Sequence, residues 1–414
     1  MLSTGCERDY SAPGNDGRLP VRIFMLLIST RQLEHYRAAE QAFEVINPDI
    51  DIIIEQFPGS SLKDFEIKLR LRFSSGKAPD MFHASQNVVA EYARLGLLAP
   101  APPFIEHMVQ NNSLNEAIRR APYFRGTCYG MTAEAAWTAL YYNKQMFREA
   151  GLDPERPPRT WHELIDYADK LTVRREDGSP IRAGLSLRKT GFKPGTAEKW
   201  LTFLYSAGGR PFSEDGTQAR FNSPAGRAAL DFYRTVLSDK NVDSVNLEGD
   251  QQGFGQERAA MFLRELHVVR WLRENYPDLD FGVAPIPART ASISSGGTYL
   301  WVVNKDSPHQ EAAWRFIHYL MQDEVYARYV SIGGILPVTR SVASLPPYAE
   351  DPIMNVFLKQ DVALPDPFPR VGRALDILGA YVERFCYGRI GTEKMLERAE
   401  QDINALLIRN RRSE

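Results

Sequence analysis

Apolar and polar positions follow two rhythms along the first part of the chain. Val21 to Ile28 (VRIFMLLI) is an unbroken apolar run of strand length, followed by a turn at Ser29-Thr30-Arg31. Leu33, Tyr36, Ala39, Ala42 and Phe43 then recur at helical spacing from Gln32 to Val45, until Asn47-Pro48 breaks the pattern. Asp49 to Phe57 (DIDIIIEQF) predicts a second strand, and Leu62 to Phe73 a second amphipathic helix, ended by Ser74-Ser75-Gly76. Pro79-Asp80-Met81-Phe82 opens a short third strand. Strand, helix, strand, helix, strand predicts parallel βαβ units with right-handed crossovers. No glycine-rich phosphate loop follows the first strand, which argues against a nucleotide site.

Further along, Tyr129-Gly130-Met131 with Thr132 and Ala133 predicts a turn leaving a tight extended segment, and Thr138 to Asn143 (TALYYN) a half-buried strand. Lys144 to Ala150 predicts a short helix that Gly151 stops. Thr160, with Glu163 three residues later, reads as a capping box for the helix carrying Leu164, Ala168 and Leu171. Helices are also expected from Ala197 to Arg210 and after Ser223-Pro224, and two more from Leu375 to Leu407 with Thr392 capping the second. Trp161, Trp200 and Trp314 sit on apolar helix faces and are expected in the core.

The 414 residues are too many for one ordinary core, so two domains are expected. An apolar fraction of 43% with 25% charged residues is that of a soluble globular chain. The net charge of −2 provides no general basic field for nucleic acid, and no apolar run is long enough to span a bilayer. Cys6, Cys128 and Cys386 have neither zinc nor redox spacing, and the last two are expected as free, partly buried thiols. The histidines show no HxxxH spacing, and GxSxG and Walker motifs are absent. A triad built from distant residues stays open, but the pattern favours a binder over an enzyme, with no cofactor and no metal.

One long gapped stretch, Ala139 to Leu164, reads ALYYNK-x-x-F-x-x-AGL-x-P-x-x-PP-x-TW-x-EL. Around it stand Phe43 with Asn47-Pro48-Asp49-Ile50, Ser75-Gly76-Lys77-Ala78-Pro79-Asp80-Met81, and Leu95-Gly96-Leu97-Leu98. Later come Phe254 to Phe262 (FGQERAAMF), Asp280 to Pro287 (DFGVAPIP), a strand at Thr298 to Val303 (TYLWVV), a helix within Ser307 to Gln322, and Gly333 to Val338 (GGILPV). From Val21 to Leu407 this series resembles the family-1 extracellular solute-binding proteins, the sugar-binding proteins of bacterial ABC importers. Glu257-Arg258 departs from the usual Gly-Lys of the AAM segment.

The resemblance implies an α/β fold of the periplasmic-binding protein type II architecture: two lobes with the ligand cleft between them. The expected division is 1–18 as a tether, 19–132 plus 285–330 as lobe 1, and 133–284 plus 331–414 as lobe 2. The implied function is the substrate-binding component of an ABC importer, a monomer that captures a carbohydrate by lobe closure and delivers it to the permease and its ATPase. The alternatives are a non-sugar solute (polyol, glycerol phosphate, polyamine) or a sensor that presents its ligand to a receptor. The implied location is extracytoplasmic, in the periplasm or at the cell surface. Leu2-Ser3-Thr4-Gly5-Cys6 resembles the end of a lipoprotein signal peptide, so Cys6 is the candidate lipidation site; the other reading is a cysteine in a polar tail.

A sugar site needs aromatic faces and planar polar groups that pair with hydroxyls. His83 and Gln86 follow the third strand, at the carboxyl end where open α/β sheets bind ligands. Glu134 and Trp137 lie in the crossover just before the ALYYN strand; for Trp137 the competing reading is packing in the hinge. By the resemblance, Arg264 and His267 stand where many relatives carry a tryptophan; for Trp271, one turn later, the two readings are a replacement for it and a core residue. Gly297, Thr298 and Tyr299 follow Gly296, and strand alternation lets only one of Thr298 and Tyr299 face the cleft. Arg370 lies in the DPFPR loop, with a structural role as its other reading. Arg264 with His267 would serve a phosphate ester, and Glu134 with Glu265 a polyamine.

Overall fold

The computed structural model describes residues 17–26, 30–57 and 62–411. The candidate lipidation site Cys6, the tether up to residue 16, and Leu27, Ile28 and Ser29 lie outside the described residues. The elements that build the site are, in order, β1 (Leu19–Met25), α1 (Thr30–Ile46), β2 (Ile50–Gln56), α2 (Leu62–Ser74), β3 (Met81–Ser85), α3 (Gln86–Arg94), β4 (Gly130–Asn143), α4 (Trp161–Leu171), α5 (Lys193–Ser206), α6 (Pro224–Arg234), β5 (Met261–Glu265), α7 (His267–Asn275), β6 (Phe281–Ala284), β7 (Gly296–Val303), α8 (Gln310–Leu320), α9 (Asp323–Gly333), α10 (Val371–Cys386) and α11 (Thr392–Arg411).

The unbroken apolar run of β1 has a physical cause. Val21, Ile23 and Met25 face one core, with Tyr36 and Phe43 of α1, while Phe24 faces another, with Phe65 and Leu69 of α2. A parallel strand covered on both faces has no solvent side on which to place polar residues. β1 pairs in parallel with β2 and β3, as expected of the opening βαβ units. The sheet order is β6-β4-β7-β3-β1-β2, with β5 also paired to β4.

β4 differs from expectation. The predicted turn at Tyr129–Met131 is instead the start of a fourteen-residue strand. Its small residues permit close backbone approach: a Cβ on Gly130 would lie 2.7 Å from the Trp301 carbonyl oxygen. Gly130 to Trp137 pair antiparallel with β7, with an irregularity between Tyr299 and Leu300. Thr138 to Tyr142 pair with β5, and Leu140 to Asn143 with β6. One strand therefore serves two groups of neighbours, and Thr138 stands where they meet. Its N–H donates to Ser295 O at 3.0 Å, and its carbonyl accepts from Ser294 Oγ at 2.6 Å and Gln360 Nε2 at 3.1 Å.

The helices pack into two large cores. One unites α1, α8 and α9 with β1 and β7; the other unites α4, α5, α6, α10 and α11 around Leu140, Trp200 and Phe203. Ile335, Leu336, Val338, Val342, Tyr348 and Phe357 join the first, although the expected division carried 331–414 with the second lobe. Trp161, Trp200 and Trp314 are buried. Thr160 caps α4, accepting from Glu163 N at 3.1 Å, while the Glu163 carboxylate accepts from Arg159 N at 2.8 Å. Cys128 and Cys386 are free and buried, and burial pushes their thiols up to about 11 and about 12.

Candidate functional site

The register of β4 against β7 decides which side chains reach the space between the two cores. Trp137 stands opposite Gly296, Ala136 opposite Gly297, Ala135 opposite Thr298, and Glu134 opposite Tyr299. Directly opposed residues project to the same face, and successive ones alternate. Trp137, Gly296, Ala135 and Thr298 are buried, whereas Glu134, Ala136, Gly297 and Tyr299 are all half-buried. The more open face is thus a bare shelf, Ala136 and Gly297, flanked by a carboxylate and a phenol ring. A Cβ added at Gly297 would have just one neighbour within 4 Å, Glu198 Oε1 at 3.9 Å. Glu198 belongs to α5, on the opposite wall.

Each wall is held by polar contacts. On the shelf side, Tyr329 donates to Glu134, Gln32 Nε2 donates to the Tyr329 hydroxyl at 3.2 Å, and Thr298 Oγ1 donates to Gln86 Oε1 at 2.8 Å. On the α5 side, Lys199 pairs with Glu265 and donates to Thr138 Oγ1 at 2.9 Å. Arg264 donates to Glu265 Oε2 at 2.9 Å and pairs with Asp250. Burial raises Glu134 and Glu198 above the usual carboxylate range. Burial also pushes Glu265 upward, but Lys199 and Arg264 outweigh it and hold the carboxyl well below that range. Burial raises the Tyr299 hydroxyl too, helped by the carboxylates of Glu198, Glu134, Glu66 and Glu265. Beside these walls lies a cavity of about 370 Å³ lined by Gln86, Arg120, Tyr205, Phe212, Leu364 and Asp366 among others. Arg120 and Asp366, both in its lining, form an ion pair.

The sequence profile of the bacterial extracellular solute-binding proteins matches residues 34–327. The chain belongs to this family. A putative binding protein of Brucella abortus is 24% identical over 397 residues, covering 94% of this chain and 93% of that protein. The sn-glycerol-3-phosphate-binding periplasmic protein of Escherichia coli is 28% identical over 315 residues, 66% of each chain. Among solved structures, an ABC transporter solute-binding protein of Thermotoga lettingae bound with α-D-tagatose superposes with a TM-score of 0.79. It is 25% identical, covering 94% of this chain and all of that one. The fold is the two-lobed periplasmic-binding type, and the family's extracellular character implies a periplasmic or surface location. No described helix is long and apolar enough to cross a membrane, and no described group of three or more His, Cys, Asp or Glu could hold a metal ion.

Within this solute-binding protein the sequence candidates separate. Gln86, Glu134, Gly297 and Tyr299 lie along the space between the walls. Thr298 is buried, holding Gln86. Trp137 is 0% exposed, in the core with its Nε1–H unpaired, which fits hinge packing. His83 is buried against Trp301, ring centroids 3.8 Å apart, and burial pushes its imidazole down to about 3. It is a core residue and not a surface histidine. Arg264 is occupied by Asp250 and Glu265. His267 is half-buried near Glu265, and burial lowers its pKa. Trp271 packs on Tyr276 with ring centroids 5.6 Å apart. Arg370 has a left-handed φ of 70° at the N-cap of α10 and is half-buried.

Sequence reading passed over Glu198, Lys199 and Arg188. The signal for the first two was legible: an adjacent pair of opposite charges in a helix that is otherwise apolar all round, from Ala197 to Ser206. Lys199 is 2% exposed, so it must have a partner inside the protein.

Proposed function

We propose that this protein captures an uncharged carbohydrate on the Ala136–Gly297 shelf and closes its lobes over it for delivery to an ABC permease. The observation that carries the reading is the shelf itself. It is apolar and bare, edged by the Tyr299 ring and the Glu134 carboxylate on one lobe and met by Glu198 from the other. A pyranose offers the same two surfaces, an apolar face for the shelf and ring, and hydroxyls for the carboxylates. A ligand that touches both walls favours the closed arrangement and shifts the population toward it. The adjoining cavity of about 370 Å³ lies within the range of small-molecule sites.

The lobe division that goes with this reading turns at Thr138, and Ile335 to Phe357 pack in a cluster that takes in α1, α8 and α9 and also Phe262 and α7. Monomeric action and anchoring through Cys6 belong to the same proposal. Glycerol phosphate fits less well, because Arg264 is closed off by two carboxylates. An amine-bearing ligand is the second reading, favoured by the two carboxylates at the shelf, Glu134 and Glu198. A thermal-shift panel of neutral sugars, polyols, spermidine and sn-glycerol 3-phosphate tests the choice. A ligand at about a hundred times its dissociation constant stabilises by about 2.7 kcal/mol. A shift with a neutral sugar is expected; a shift with the phosphate ester alone would overturn the reading.

A further inference from the structure

The α5 wall carries two side chains of opposite charge, Arg188 and Glu198, that feel each other's charge but form no hydrogen bond or ion pair among the described residues. Arg188 follows a stretch that runs parallel beside β5, with bridges Ala183–Ala259 and Ser186–Phe262. It therefore emerges at the same end of the lobe as Glu265. Its guanidinium rests over Gly195, where an added Cβ would lie 3.0 Å from Cζ. Its Nε is buried without a hydrogen-bond partner. Glu198 follows Gly195 by three residues, on the same face of α5, and its Oε1 overhangs the shelf at Gly297. Among the described residues its carboxylate accepts no hydrogen bond and forms no ion pair, and it stands beyond ion-pair distance of Arg188.

The neighbouring charges behave otherwise: Lys199 and Arg264 are fully occupied by Glu265, Asp250 and Thr138. Leaving charged groups half-buried and unmatched is unfavourable, so both call for a partner in the space between them. An anion there would satisfy Arg188 and be repelled by Glu198; a cation would meet the reverse. A pair of adjacent hydroxyls satisfies both, because a hydroxyl can accept from a guanidinium and donate to a carboxylate.

We propose that Arg188 and Glu198 are the specificity-determining pair of the cleft, reading two adjacent hydroxyls of an uncharged sugar, with Arg188 as donor and Glu198 as acceptor. The inference rests on the carbohydrate reading above and names the residues that enforce it.

Calorimetric titration of the full chain with D-tagatose, maltotriose, sn-glycerol 3-phosphate and spermidine tests it, alongside Arg188→Met, Arg188→Lys and Glu198→Gln. For the sugar that the unmodified protein binds, Arg188→Met and Glu198→Gln each lose ten-fold or more in affinity. Arg188→Lys keeps the charge and loses the planar fork, so it also weakens the sugar, and it serves should the Met variant fail to fold. Glu198→Gln gains affinity for the phosphate ester, which a merely structural role would not produce. Sugar affinity unchanged in Glu198→Gln and Arg188→Lys would overturn the pair and leave the carbohydrate reading standing. An unmodified protein that binds the phosphate ester or spermidine and no sugar would overturn that reading itself, and the inference with it.

Discussion

The two walls of the cleft are built by different physics. The β4–β7 wall is positioned by backbone pairing: the register alone brings Glu134, Ala136, Gly297 and Tyr299 to one face. The α5 wall is positioned by charge: Lys199, in the middle of a buried helix, forms a connected network with Glu265, Arg264 and Asp250. A register is a rigid reference that leaves its surface bare, and a charge network is a rigid reference that fills its surface. The first wall thus has room for a ligand ring, while the second offers just the groups its network leaves over, Arg188 and Glu198.

Cutting the charge network breaks this comparison hardest. Lys199→Met leaves Glu265 buried with Arg264 as its remaining cation, and removing one member of a buried pair costs about 3 kcal/mol or more. Urea unfolding should show the midpoint falling without a change in slope; an unchanged midpoint would mean that the network does not hold the wall. Adjacent glycines give the next effect. A Cβ at Gly296 would collide with the Ala136 carbonyl oxygen, so Gly296→Ala should destabilise by about 2 kcal/mol or more. Gly297→Ala meets open space and should leave the melting temperature within a degree or two, an effect below about 0.5 kcal/mol. Equal losses in the two variants would refute the assigned register.

Acid sensitivity is the third difference. His35 and His83, both buried behind the shelf, are held neutral by burial, down to about 4 and about 3. Unfolded, each titrates near 6.5, so between that pH and its folded value the unfolded chain binds more protons. Their contribution is complete above pH 6.5 and is lost as the pH falls, by up to about 1.4 kcal/mol per unit for each imidazole. Replacing His83 with Phe should flatten the stability profile between pH 6.5 and 4; an unaltered slope would show that the imidazole is not held neutral. The smallest effect belongs to the Arg120–Asp366 pair in the cavity lining. Its partners are 59% and 28% exposed, so Arg120→Ala should change stability by less than about 1 kcal/mol and weaken with salt.

Most of the fold was legible before any coordinates, because burial writes itself as periodicity: the continuous run of β1 and the helical spacing of α1 are what covered and half-covered elements require. The start of β4 was not legible. Gly130, Thr132 and Ala133 look like a turn because they are small, and Gly130 must be small because β7 approaches closely, a partner more than 160 residues away. The site divides the same way. Glu134, Gly297 and Tyr299 lie next to quotable motifs, so local sequence points to them. Arg264 looked available because one of the two carboxylates that occupy it, Asp250, shares no motif with it, and a neighbour such as Glu265 need not turn toward it. Trp137 and Glu134 stand three residues apart on one strand, so alternation sets them on opposite faces; which face is open is decided by the elements packed on each side, which local sequence does not name. Arg188 and Glu198 are marked by the lack of a hydrogen-bonded partner among the described residues, a property that only three-dimensional neighbours can decide.

The central claim is that a sugar ring lies on the bare shelf between the walls. Its most direct test is calorimetric titration of Gly297→Val with the sugar that stabilises the unmodified protein, after the melting temperature of the unliganded variant has been matched. The account predicts a normally folded protein whose sugar affinity falls at least a hundred-fold, because the added side chain occupies the shelf below Glu198. Undiminished affinity in a folded Gly297→Val variant would place the ligand elsewhere and contradict the account.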